Sequence, residues 1–133
     1  MNSFNGHILE VETVGNLSLV RVALGKNTQW VSVVLDTPQT APYLVPGEDI
    51  RVLFKETEVI LNLQDPNLLS VDNYLKGTVK EVEAGEILSR LVLDTEIGEL
   101  VAVVGSKSLK RLGLARNMSV LAMVKMNELI LAP

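Results

Sequence analysis

Ser70-Val71-Asp72-Asn73-Tyr74-Leu75-Lys76-Gly77-Thr78-Val79 is the stretch from which the fold can be read. It follows a polar connector and opens a β-prone run, and its second part is echoed at the start of the chain by Asn2-Ser3-Phe4-Asn5-Gly6-His7-Ile8. Asn, three residues, Gly and then a strand-like run therefore occur twice. A true duplication keeps its register through later elements. Here Asn2 pairs with Asn73 and Gly6 with Gly77. After a one-residue slip placed near Gly15 and Gly85, Trp30-Val31-Ser32-Val33-Val34 lies over Leu100-Val101-Ala102-Val103-Val104. Leu44 falls on Leu114, Ile50 on Val120, Lys55 on Lys125, and Val59-Ile60-Leu61 on Leu129-Ile130-Leu131. Gly47 coincides with Asn117, and these two residue types best tolerate a left-handed backbone, so one turn can serve both copies.

The repeat divides 133 residues into halves of about 65, a size at which a separate core is marginal, so the halves are expected to pack on each other or on further chains. The apolar share is 47% but aromatics only 4%, which leaves the interior to Val, Leu, Ile and Ala. Without cysteine there is no disulfide, thiolate metal site or cysteine nucleophile. A formal charge of -4 argues against nucleic acid as the main partner, while leaving room for a local cationic pocket. The first residues lack the basic and apolar regions of a leader, and no apolar run approaches membrane-spanning length; a cytoplasmic protein is the expectation.

In the first copy, strands are expected over Gly6–Glu12, Leu17–Leu24, Thr28–Leu35, Asp49–Lys55 and Glu58–Leu63. Pro38 and Pro42 allow at most one helical turn between the third and fourth. In the second, the strands are Leu75–Glu83, Ile87–Asp94, Leu100–Val104, Ser119–Lys125 and Glu128–Leu131. Between its third and fourth strands a helix is expected, with Ser106 as N-cap, Leu109 and Leu112 as apolar stripe, and Gly113 at the C-terminus. Five short strands with one short helix between the third and fourth is the order of an OB-type barrel. The expected architecture is all-β: two tandem five-stranded OB-like barrels, each with one short helix, as modules 1–63 and 70–133 joined by a linker at 64–69.

Two places in each copy suit chemistry: the Asn before the first strand, and the Lys that ends the fourth strand before a tight hairpin. Successive unpaired N–H groups in a turn form a concavity for an anion, to which lysine adds a full charge. Ser70, Asn73, Thr57 and Asn127 can add directional hydrogen bonds. Such a set fits a small tetrahedral oxyanion.

The same residues carry a family resemblance. Ser70 to Val79 resembles the Ser-Ala-Arg-Asn-x-x-x-Gly-x-Val opening of the Mop or TOBE module, found in molbindins, molybdate-responsive transcription regulators and the ends of transporter ATPases. The likeness continues through Leu100–Val104, Leu112-Gly113-Leu114 and Val124-Lys125-Met126-Asn127-Glu128-Leu129-Ile130-Leu131, and spans both copies, as in a di-Mop protein. It implies an OB-like fold, molybdate or tungstate bound as ligand at module or subunit interfaces, no organic cofactor, and assembly into homo-oligomers. By position, the oxyanion-binding residues would be Ser70, Asn73, Lys125 and Asn127 in the second copy, with Lys55 and Thr57 in the first. The chain departs from the family pattern at Asp72, where Arg is usual, and at Asn127 and Thr57, which replace Ser. The first copy keeps only Asn2 of the opening motif.

Plainer readings stand beside these. Lys55 and Lys125 can be solvated lysines at turns, Asn73 can cap the turn into its strand, and His7 reads as a packed or half-exposed strand residue. Trp30 and Phe54 read as core or interface. Glu81, Glu83 and Glu86 read as a solvated edge that discourages strand pairing, and Lys107, Lys110 and Arg111 as a small basic helix face able to touch a partner. No nucleophile, acid–base pair or metal cluster can be assembled, so an enzyme is not expected. Nor is direct DNA binding, there being no helix-turn-helix pattern. Two functions compete: intracellular storage of molybdate or tungstate, and a regulatory or interaction domain, with a transporter or regulator as partner, that binds anion weakly.

Overall fold

Runs of Val, Leu and Ile broken by Gly- and Asn-containing turns give ten strands and one α-helix in a computed structural model that describes all 133 residues. The first half contains β1 (Asn2–Val14), β2 (Leu17–Leu24), β3 (Thr28–Val34), β4 (Asp49–Phe54) and β5 (Ile60–Asn62). The second contains β6 (Asn73–Glu83), β7 (Leu88–Thr95), β8 (Gly98–Gly105), α1 (Ser106–Leu112), β9 (Ser119–Val124) and β10 (Ile130–Ala132). No helix is long and apolar enough to cross a membrane.

The duplication is visible in the register. β1 bulges between Ile8 and Glu10 against β2, and β6 bulges between Val79 and Glu81 against β7. Gly47 and Asn117 both have positive φ, 90° and 73°. Each donates its N–H to the carbonyl of the residue at the bulge, Ile8 at 2.7 Å and Val79 at 2.8 Å. The one-residue slip lies elsewhere than expected. β2 and β7 keep the offset of the first strands, Leu17 matching Leu88, and the slip falls at the next hairpin, where Gly25-Lys26-Asn27 joins β2 to β3 but only Glu96-Ile97 joins β7 to β8. A two-residue hairpin closes the same pair with one residue fewer, and neither strand feels the deletion.

The sheets do not follow the sequence division at 64–69. One has the order β10-β4-β1-β2-β3 and the other β5-β9-β6-β7-β8, so the halves exchange their fifth strands. The expected hairpin after Lys55 and Lys125 is instead a single 3-10 turn, Glu56–Glu58 or Met126–Glu128. It follows an extended lysine (ψ 146° in both) and carries the chain across to the other sheet. There Ile60 pairs with Met123, and Ile130 with Leu53. A hairpin needs a turn that reverses the strand onto its neighbour; neither Glu56-Thr57 nor Met126-Asn127 contains the Gly or Asn-Gly pair that does so.

Exchange merges the interiors. The 26 residues of the main apolar cluster come from both halves, with Phe4, Trp30 and Phe54 as its aromatic members. Phe54 lies 5.5 Å from Trp30 and 5.9 Å from Phe4 between ring centroids. The Trp30 indole donates to the Tyr74 carbonyl of the other half at 3.1 Å. Val31, on the opposite face of β3 from Trp30, is buried too, because that strand is covered on both faces.

The helix is present only in the second half. Residues 35–48 of the first form turns without helix, consistent with Pro38, Pro42 and Pro46 interrupting the run. α1 ends at Gly113, φ 61°, as expected, but its N-cap is Gly105. Ser106 spends its hydroxyl on the Gly85 carbonyl (2.7 Å) and on Ser89 (2.8 Å), fixing the helix start to the loop before β7.

Candidate functional site

Asn2 and Asn73 answer the question of what the repeated Asn does. Asn73 is fully buried; its side-chain amide accepts from Val31 N–H at 2.7 Å and donates to the Val31 carbonyl at 2.8 Å. Asn2 makes the same pair of bonds to Val101, both 2.8 Å. Each amide thus imitates a strand residue and fastens its own half to the third strand of the other. No buried side-chain polar atom lacks a hydrogen-bond partner, so this clamp is complete. The signal for it was the echo itself, since Val31 and Val101 are also repeat equivalents.

The lysines lie beside these clamps. Asn73 pairs with Val124 across β6 and β9, which places Asp72 opposite Lys125 as the ladder ends, with Ser70 two residues further out. In the same way Asn2 pairs with Phe54, setting Met1 opposite Lys55. Lys125 and Asn127 sit on one 3-10 turn and Lys55 and Thr57 on the other; all four are exposed, as is Ser70. Each turn is closed by a bond from the third following N–H, Glu58 to Lys55 and Glu128 to Lys125, both 3.0 Å, and the first has a further bond from Val59 N–H to the Glu56 carbonyl at 3.4 Å. The N–H groups of Met126 and Asn127, and of Thr57, make no hydrogen bond to another backbone group, while the Glu56 N–H meets the Glu56 carboxylate. A lysine ammonium therefore occurs twice beside free N–H groups, two in the second turn and one in the first, each set packed against the third strand of the other half.

The two sets differ in charge. In the first, the Met1 ammonium hydrogen-bonds Glu56 Oε1, and this bond holds the Glu56 carboxyl below the usual carboxylate range. Glu56 has no counterpart in the second set, where Met126 stands. In the second, Asp72 faces Lys125 without an ion pair, and Asn127 donates to Glu128 Oε1 at 3.4 Å. Asn73 belongs to the clamp by its visible bonds. Glu56 was missed because its neighbour in space is a chain terminus from across the repeat.

Comparison with known proteins gives a consistent result. The TOBE domain model matches residues 69–131, nearly all of the second half. The molybdenum transport protein ModE of Azotobacter vinelandii is 27% identical over 98% of this chain and 49% of its own length. The molybdenum-pterin-binding protein MopA of Rhodobacter capsulatus is 30% identical over 85% of this chain and 43% of its own. The chain thus spans about half the length of the curated relatives it matches. Among solved structures, the cytoplasmic molybdate-binding protein ModG, with molybdate bound, superimposes with a TM-score of 0.89 at 27% identity, over 98% of this chain and 94% of that one. With the doubled register, the two five-stranded sheets and these matches in agreement, the chain belongs to the Mop/TOBE family.

Proposed function

We propose that this protein binds molybdate or tungstate without catalysing a reaction, and serves intracellular storage and homeostasis of the oxyanion in the cytoplasm. The observation that carries the reading is the likeness to molybdate-bound ModG along almost the whole of both chains, together with a lysine and free N–H donors built twice at equivalent places. A dianion takes charge-assisted bonds from the ammonium and oriented bonds from the turn. In the second half Lys125, Ser70, Asn127 and the N–H groups of Met126 and Asn127 supply donors, and Asn73 holds the strand from which Ser70 approaches. In the first half Lys55, Thr57 and the Thr57 N–H do so. Because these donors are exposed, the pocket is completed where copies of the chain meet, which implies a homo-oligomer.

The half-length coverage of ModE and MopA favours a second reading, a regulatory or interaction domain of the kind found in regulators and transporter ATPases, with weak anion affinity. Calorimetric titration with molybdate, tungstate and sulfate, with solution mass measured alongside, separates the two. Saturable binding of the first two anions and not of sulfate, weakened at least tenfold in Lys125→Ala, supports storage. No heat with any of the three supports the interaction domain.

A further inference from the structure

The two lysine turns differ in one group to which the oxyanion reading gives no part. Asp72 stands opposite Lys125 where the β6–β9 ladder ends, next to the buried pair Asn73 and Val124. Side chains alternate along a strand, and Lys125 keeps extended backbone (φ -66°, ψ 146°), so Asp72 and Lys125 both project on the outer face as direct cross-strand neighbours. Both are exposed, yet they form no ion pair. With Tyr74, Lys76 and Thr78, Asp72 also lines one wall of an open cleft of about 680 Å³, which leaves room beside its carboxylate. The other acids of that cleft lie away from this point. Asp94 pairs with Thr78, roughly 20 Å along β6 from Asp72, and Glu96 accepts from the Thr28 hydroxyl.

The first set has no such acceptor. Met1 takes the place of Asp72 there, and its ammonium holds the Glu56 carboxylate. Glu58 and Glu128 are repeat equivalents and do not separate the sets. Donors alone suit an oxyanion without a proton. Donors beside one carboxylate suit an oxyanion that keeps a proton, because its O–H donates to the carboxylate while its other oxygens accept from the ammonium. An oxyanion lacking that O–H sets lone pairs and charge against the carboxylate, which is a repulsive element built against it. We propose that the Lys125 turn, unlike the Lys55 turn, takes a second ligand: hydrogen phosphate, or another tetrahedral dianion that retains a proton at neutral pH. Its O–H donates to Asp72, and its remaining oxygens accept from Lys125 and Ser70. The inference rests on the oxyanion reading of the turns. It makes hydrogen phosphate a competitor of molybdate at one turn and not at the other.

Lys55→Ala removes the cation of the first turn, and this full-length variant is titrated calorimetrically with inorganic phosphate, sulfate and methyl phosphate. At about pH 8 all three are tetrahedral dianions, since a phosphate ester loses its second proton near pH ~6, but only inorganic phosphate retains an O–H. Saturable binding of phosphate, about tenfold or more tighter than that of the other two, is expected. Asp72→Asn in the same background removes the charge and lets the side chain donate as well as accept, so the three affinities should converge to within about threefold while molybdate binding strengthens. Asp72 is exposed, so the fold should survive the change. Phosphate should displace molybdate from Lys55→Ala and not from Lys125→Ala. Equal affinity for phosphate and sulfate, or a preference for phosphate that persists in Asp72→Asn, overturns the proposal. Silence with phosphate in a variant that still binds molybdate overturns it and leaves the molybdate reading standing; silence with molybdate in the parent chain as well overturns both.

Discussion

Asn2 and Asn73 hold the same place in their halves and make the same two bonds, but Asn73 is sealed from solvent while Asn2 retains 7% exposure at the first strand residue. Gly6 and Gly77 differ in the same uneven way. A Cβ at Gly6 would stand 2.4 Å from the Ala23 carbonyl oxygen, whereas at Gly77 the nearest atom is the Leu93 Cβ at 3.2 Å. The comparison teaches that duplication preserved register and hydrogen bonding but not tolerance. The first half is packed more tightly around its glycine, and the second more completely around its asparagine.

Substitutions at these twin positions give the largest effects and test the comparison directly. Gly6→Ala should cost about 3 kcal/mol or more in denaturant unfolding, because backbone must move, and Gly77→Ala about 1 kcal/mol. Equal costs would show that the two close approaches are equivalent after all. Asn73→Ala leaves the Val31 N–H and C=O without partners in a buried place and should cost about 2 to 4 kcal/mol. Asn2→Ala, with water at hand, should cost roughly half that. If the clamps unite the halves, either loss should still give one cooperative transition rather than two, since the exchanged strands and shared core remain.

Anion binding is expected to show a middle effect. Lys125→Ala and Lys55→Ala, titrated with molybdate, report which turn carries the higher affinity. The second is favoured, since the Lys55 turn holds two acidic residues, Glu56 and Glu58, and the Lys125 turn only Glu128. A larger loss in Lys55→Ala would reverse the ranking. Asp72→Asn removes a carboxylate opposite Lys125 and should raise affinity for the dianion two- to fivefold, an effect that shrinks as salt rises. The smallest change belongs to Glu56→Gln, within about 0.5 kcal/mol because the pair is exposed. Its carboxyl is lowered in the folded chain, so its contribution is present above the ordinary carboxylate range and is lost as pH falls through the lowered value. Variant and parent should therefore converge in acid when melting is followed against pH.

Much of this was legible before any coordinates. Hydrophobic runs and turn residues located all ten strands, and Leu17–Leu24 to the residue, because alternation and Gly or Asn punctuation are local properties. The paired left-handed positions Gly47 and Asn117 were legible for the same reason. Ends were less so: β1 begins at Asn2 and not Gly6, since its first residues are held by pairing with β4, a partner some fifty residues away in sequence. Candidate lysines were found by their repeat and by resemblance. The part taken by Asn73 was not, because its partner Val31 comes from the other half.

Taken alone, the residues determined the doubling, the β character of each run, the helix ended by Gly113 and the two lysine turns, all of which depend on neighbours within a few positions. Only tertiary structure decided that the fifth strands change places, that one core serves both halves, and that each repeated asparagine binds the far strand and not its own turn. Those outcomes depend on which surfaces meet, and backbone groups of Val31 and Val101 are identical in the sequence to any others until burial makes them need a partner.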